Sequence, residues 1–574
     1  RSMKRNQYIF LGMVFIAIPS LVQAQTQPKD TTLNRTVVVE QEYNPIIMDA
    51  AKVNVLPKVE EPVVNKKEVE YAVSSTPASN IPAGTMQAYT GKETQATSHP
   101  GYVRLGYGNY NNLDAYANYL FRLSDRDKLN VNFNMAGMKG TLDMPSYRTS
   151  KPDEWDAFYY RTRAGIDYLH QFNRMNLNIA GHFGLSNFNY RPYSIFNKQK
   201  FTSGDMHVGL KSTDETLPLQ FQAETNLLLY NRQQGFPAIN KLGVTETQVR
   251  TKGNVTGMIN EEQLISIAVE MDNLLYDPRQ MGSCYKETLF HNRTTVNLNP
   301  YYELNDDSWR LHIGANVDLS FKNGKSFYVS PDIDLAYIFS DSYVLYARAT
   351  GGRLLNDFRR LEQINPYACF SHPITDTYEQ VNARIGFKAS PVNGLWFDLF
   401  GGYQNLKNDL YPYMSDITGG QGGVFTDYGQ TDSYNFHAGA QISYAYKDLF
   451  SFAADATYYH WDADDPNVDS ETVNYNDALL MKPQFKLGLQ IEARPIHALS
   501  LNISYQYISR TEPYFFTGAK LPAVSNLGLK ATYNLFKGVS IYAKADNLLN
   551  KEYQYYLDYP TQGINFVGGL SFQF

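Results

Sequence analysis

Two stretches far apart in the chain share one alternation. LNVNFNM puts Leu129, Val131, Phe133 and Met135 on one face and Asn130, Asn132 and Asn134 on the other; LSLNISYQY sets Leu499, Leu501, Ile503, Tyr505 and Tyr507 against Ser500, Asn502, Ser504 and Gln506. A period of two residues is that of a strand with one apolar and one wet face. From Gly101 onward about 22 such runs follow, near residues 101, 113, 128, 157, 174, 202, 217, 245, 263, 286, 308, 326, 342, 376, 394, 430, 449, 479, 498, 521, 538 and 563. The last of them, NFVGGLSFQF, lines up Phe566, Gly568, Leu570, Phe572 and Phe574 and ends the chain.

Link length alternates with strand parity. After even strands the links are short, as in SDRD, FNR, STDET, RPIH and FKG; after odd strands they are often long, as at 139–156, 189–201, 354–375, 409–429 and 463–478. A barrel exported to an outer membrane has short turns on one side and long loops on the other. In hydrocarbon an open sheet edge would leave a row of unpaired N–H and C=O groups, so the sheet must close. The expectation is an all-β fold: a closed antiparallel transmembrane β-barrel of about 22 strands over residues 100–574, its last strand paired with the first near Tyr102–Asn109.

The first hundred residues read differently. Lys4 and Arg5, an apolar run from Tyr8 to Val22, and the small residues around Ala24 form a signal peptide over 1–24, with Arg1 and Ser2 preceding a natural start at Met3. The run is shorter than the roughly 20 residues of a spanning helix. Residues 25–99, with Pro28, Pro45, Pro57, Pro62, Pro77 and Pro82, read as an extended periplasmic arm. In it TVVVEQEYNP is a β-branched run before a polar turn, able to add a strand to a partner's sheet or to pack on its own barrel.

Composition narrows the function. The 45 Tyr and 32 Phe exceed what an ordinary core uses and suit a membrane interface, although the mean hydropathy of −0.41 alone would suggest a soluble chain. A net charge of −6 leaves no basic footprint for nucleic acid. Histidines and cysteines lack metal spacing, so no transition-metal site and no cofactor is expected. Asp462, Asp464, Asp465 and Asp469, with Glu471, offer calcium-type oxygens but without the spacing and central glycine of a calcium loop; a solvated acidic loop is the plainer reading. Cys284 and Cys369 fall in predicted outer loops, where a disulfide is open to them if geometry allows. No Ser-His or Asp-His constellation emerges, so the chain is not read as an enzyme.

DNLLNKEYQYYLDYPTQGINFVGGLSFQF, residues 546–574, resembles the closing strands of TonB-dependent receptors through Asn547, Leu548, Asn550, Lys551, Tyr553, Tyr559, Pro560, Gly569, Leu570 and Phe572. Gly569, Phe572 and Phe574 also resemble the terminal signal read by the barrel assembly machinery, with Val567 where that signal often has a polar residue, and Ile564 departs from the family's usual Gly-Arg turn. The resemblance implies a 22-strand barrel that binds a ligand at extracellular loops and passes it across the outer membrane. It also marks Thr36, Val37, Val38, Val39 and Glu40 as similar to the box gripped by an energising periplasmic partner. The family's folded plug does not fit into an arm of this length, so a wide lumen needs another filling: the arm, another protein, or inward-folding loops such as Leu354–Thr375 and Asp409–Gly429, the latter containing GGQGG. The alternative is a non-transporting outer-membrane scaffold whose arm recruits other proteins.

Overall fold

The structure is a computed structural model that describes residues 99–144, 154–192, 194, 197–214, 216–235, 243–277, 283–284, 287–339, 342–416, 424–464, 478–510 and 521–574. The expected signal peptide, the arm up to residue 98 and the box Thr36–Glu40 lie outside these residues. Within them, 22 antiparallel strands join in one sheet that closes on itself, each pairing with its neighbours in chain order. The first strand, Gly101–Gly108, pairs with the last, Asn565–Gln573, placing Arg104 opposite Ser571 and Leu105 opposite Leu570.

Alternation sorts the two faces of the wall. Leu105, Ile166, Met206, Ile265, Ile385 and Leu570 are exposed on the outside, while Arg104, Asp114, Asp272 and Asp398 are buried on the inside. Aromatic rings gird the outer surface beside the short turns: Trp309 packs on Tyr337 at 4.6 Å, and Phe339, Tyr343, Phe387 and Phe397 continue the row at 5.7, 6.0 and 6.2 Å. Such belts form where an amphipathic ring meets both hydrocarbon and water.

The closing seam is built around one inward tyrosine. Tyr542 pairs across from Gly569, which pairs with Gly106, and a Cβ on Gly106 would run into the Tyr542 hydroxyl. Two glycines in a row therefore let the ring lie flat across the seam. Its hydroxyl donates to Asp114 Oδ2 at 2.7 Å, and Asp114 Oδ1 accepts from Arg104 at 2.8 Å.

Most predicted strand starts fall within a few residues of the observed ones, and three do not. The expected start near 286 lies at Arg293, because Glu287–Thr288 forms a small ribbon with Ser283–Cys284 and Leu289 and Phe290 are buried away from the wall. The start near 479 lies at Phe485, since Ala478, Leu479 and Leu480 form a buried turn. The expected loop Asp409–Gly429 is largely a hairpin: Leu395–Asp416 and Val424–Tyr446 are the two longest strands and stay in register from Asp409 opposite Thr431 to Asp416 opposite Val424. Leu410, Tyr411, Phe425, Thr426, Asp427 and Tyr428 are all buried, so neither face is wet and the alternation that reveals a strand is missing.

Candidate functional site: a roof across the barrel mouth

At the long-loop end the connection 355–376 folds into the lumen. Asp357 caps a short helix, α1 (Phe358–Ile364), its side chain accepting from Arg360 N at 2.8 Å; Asn365 and Pro366 then end the helix. Phe358 and Leu361, three apart, face one way and are buried; Phe358 meets the rings of Tyr230, Tyr276 and Phe290 at 5.8, 5.6 and 4.9 Å.

Polar links fasten α1 to the wall. Glu362 accepts from Ser186 and from Tyr230, both at 2.7 Å, Arg359 reaches Asp205 at 3.0 Å, and the Phe358 N–H donates to Glu246 at 3.1 Å. Burial alone would raise the Glu362 carboxyl, but the neighbouring Arg161 and Arg163 guanidiniums outweigh it and hold the group below its ordinary value. Burial lowers Arg359 to about 10. Where the connection rejoins the wall, Arg293 grips Asp376 with two bonds of 2.8 and 3.1 Å, and Asp376 also accepts from the Asn356 N–H.

The same connection reaches the opposite side. Cys369 N–H donates to Thr426 O at 2.9 Å on the long hairpin, Ser371 donates to Asp427, and Gln430 is bonded to Thr375. Tyr367 stacks on Tyr559 with centroids 3.7 Å apart and planes 8° from parallel, and Phe188 and Tyr556 meet it edge-on. These rings join residues from the first half of the barrel to the long hairpin and the 547–564 connection in one buried apolar cluster inside the cylinder.

The residues that carry the family resemblance shape that last connection. Asn547 and Asn550 take φ of 51° and 48°, which asparagine tolerates better than most side chains. Asn547 Nδ2 donates to Lys551 O and Gln562 O, both at 2.9 Å, and Asn550 Oδ1 accepts from Ile564 N–H at 3.1 Å. Tyr559–Pro560 pairs with Gln554–Tyr556 as a ribbon that presents Tyr556 and Tyr559 to Tyr367.

The other expected residues are scattered. Gly569 lies inward under Tyr542, whereas Phe572 and Phe574 point out from the last strand. Asp462 accepts from Tyr434 at 2.6 Å and Asp464 N–H donates to Asp432 O, while Asp465 and Asp469 lie outside the described residues, among which no metal-ligand cluster occurs. Of the candidate disulfide pair, Cys369 is a buried thiol that burial pushes up to about 12, with the Arg232 guanidinium 3.9 Å from its sulfur, while the Cys284 side chain lies outside the described residues. Sequence reasoning missed α1 and the ring stack. The Asp cap, the Phe358/Leu361 spacing and the Asn-Pro stop could have announced the helix; nothing in a single sequence announces the stack.

No family model and no curated protein matches the sequence. Solved structures do match in fold. A ferric enterobactin receptor mutant from Pseudomonas aeruginosa in complex with enterobactin has a TM-score of 0.62 at 13% identity, over 83% of this chain and 81% of that one. The siderophore receptor PirA from Acinetobacter baumannii has a TM-score of 0.62 at 10% identity, over 84% and 81%, and the FrpB iron transporter from Neisseria meningitidis 0.63 at 10%, over 83% and 81%. The chain thus shares its fold with these receptors and transporters: a large closed barrel, here of 22 strands. More specifically, that barrel is similar to the one of the TonB-dependent receptors.

Proposed function

We propose that this chain is an outer-membrane uptake receptor whose mouth is closed by the 355–376 roof, and that a ligand arriving at the long loops releases it. The observation that carries this reading is that the roof is fastened by buried charge pairs and hydrogen bonds as well as by rings. Such links are strong when complete and costly when one partner is withdrawn, so releasing the roof would mean breaking the set together rather than loosening it by degrees. The names of the neighbours, which refer to enterobactin, siderophores and iron, support small solutes as cargo.

In this reading the long loops face outward, the short turns and residues 25–99 face the periplasm, and outer-membrane lipid covers the apolar belt. Thr36–Glu40 meets an energising partner, Gly569, Phe572 and Phe574 guide the barrel assembly machinery, and no catalysis is involved. Planar-bilayer conductance tests the roof. The full chain is expected to be silent, and a variant with 357–372 replaced by a short Gly-Ser link to conduct; equal currents would overturn the reading. Outward loops are tested by labelling intact cells carrying His372→Cys in a Cys284→Ser background with a membrane-impermeant maleimide, since the His372 side chain is 66% exposed.

A further inference from the structure

One sector of the inner wall holds more cations than its carboxylates can answer. Lys530 and Lys544 stand directly opposite each other on neighbouring strands and share the lumen face. Like charges in that position repel and are normally avoided. Lys544 is answered by Asp546 at 2.6 Å. The other cation in reach of Lys530 is Arg104, 3% exposed, which spends Nη2 on Asp114 and leaves Nε and Nη1 without a partner. Of the acids near Lys530, Asp114 is engaged by Arg104 and Tyr542, and Glu492 by Arg494 at 3.1 Å. Lys530 itself has no ion-pair partner among the described residues.

The pattern recurs higher on the same wall, beneath the 554–556 ribbon. Arg510 is 9% exposed; its Nη2 donates to Gln554 O at 3.0 Å, while Nε and Nη1 have no partner. Lys486 lies within electrostatic reach of Arg510 and Lys482. Lys482 is taken by Asp409, and Lys486 rests over the Tyr459 ring at 5.5 Å, with Asp455 as the acid nearby. Lys486 is registered to Ile508 and Ile508 to Val524; Lys530 lies six residues further down that strand, about 20 Å toward the short turns. A guanidinium with unfilled donors beside an unpaired ammonium, twice in succession, is the arrangement that holds oxyanions along a path.

We propose that this wall, from Arg510 and Lys486 down to Lys530 and Arg104, binds small solutes bearing carboxylate, sulfate or phosphate groups and forms an anion-selective track under the roof. The inference deepens the uptake reading and rests on it for its direction of travel. Its test is isothermal titration of inorganic pyrophosphate into the purified full chain in non-ionic detergent at low salt. Saturable binding is expected, weakened by added salt, lowered about tenfold or more by Lys530→Gln and by Arg510→Gln, and kept by Lys530→Arg. Lys530→Gln removes a repulsion, so heat-modifiable gel mobility is expected to show an intact barrel. No saturable binding to the native chain, or binding untouched by both Gln variants, overturns the proposal. The titration needs no transport: a barrel that conducts without its roof yet ignores pyrophosphate sinks the track alone, and one that binds pyrophosphate but never conducts sinks the uptake reading alone.

Discussion

Gly101 and Phe574 exchange both of their backbone hydrogen bonds, Gly101 N–H to Phe574 O at 2.9 Å and Phe574 N–H to Gly101 O at 3.0 Å, and the Phe574 ring covers the face where Gly101 lacks a Cβ. The cylinder is sealed by the first residue of its first strand and the residue that follows its last strand. Removing Gln573 and Phe574 strips the end of one of the shorter seams in the barrel and frees backbone groups that face lipid, each costing several kcal/mol. The expected result is a marked loss of heat-modifiable folded barrel, scored by gel mobility. Gly106→Val, which pushes Tyr542 off Asp114, is expected to lower the melting temperature at a cost of about 1–3 kcal/mol.

Glu362 supplies the pH dependence of the roof. Its folded-state pKa lies below the ordinary carboxylate value, so its stabilising contribution is fully present above that ordinary value and is lost as pH falls through the lower, folded one. Pepsin cleavage near Phe358 and Leu361 is expected to be slow at the upper end of the enzyme's acid range and to accelerate as pH drops below about 4, while the barrel stays folded. Glu362→Gln leaves Arg161 and Arg163 short of a counter-charge and is expected to release the roof even at neutral pH, a loss of about 3–5 kcal/mol.

Tyr367→Ala deletes the stack on Tyr559 and the edge contacts with Phe188 and Tyr556, in a site with little room to collapse. A loss of about 3–5 kcal/mol is expected, confined to the roof. Hydrogen exchange is expected to rise over 356–372 and to stay unchanged in the strands.

Cys369 reports on the same opening. A buried thiol pushed up to about 12 is almost wholly protonated at neutral pH and unreactive. In a Cys284→Ser background maleimide is expected to label it slowly in the native chain and at least tenfold faster in Tyr367→Ala. Intact mass of the native chain is expected to show two free thiols; a mass two units lower would mean that the cysteines are bridged after all.

The wall was legible in the sequence, whereas the roof was legible only as a loop long enough to fold inward, its helix and ring stack staying hidden, for one physical reason. Each wall strand meets lipid on one side and water on the other, so Leu129, Val131 and Phe133 alternate with asparagines and the period survives in a single sequence. The upper hairpin around Tyr411 and Asp427 is covered on both faces, and the roof packs Phe358, Tyr367 and Phe370 against residues hundreds of positions away. Such contacts leave no local period. Likewise the Lys530–Lys544 juxtaposition exists only once register is known, because register alone makes residues fourteen apart neighbours.

Leu354 and Thr377, the residues that bracket the roof, are themselves a registered pair in the wall. The cover is therefore hinged to its own frame at both margins and cannot be carried off with whatever passes beneath it. Under the proposed opening, reclosing would be a unimolecular swing with a high effective concentration, independent of how many copies surround it. A cover tethered at both margins would return to the same seat after each release.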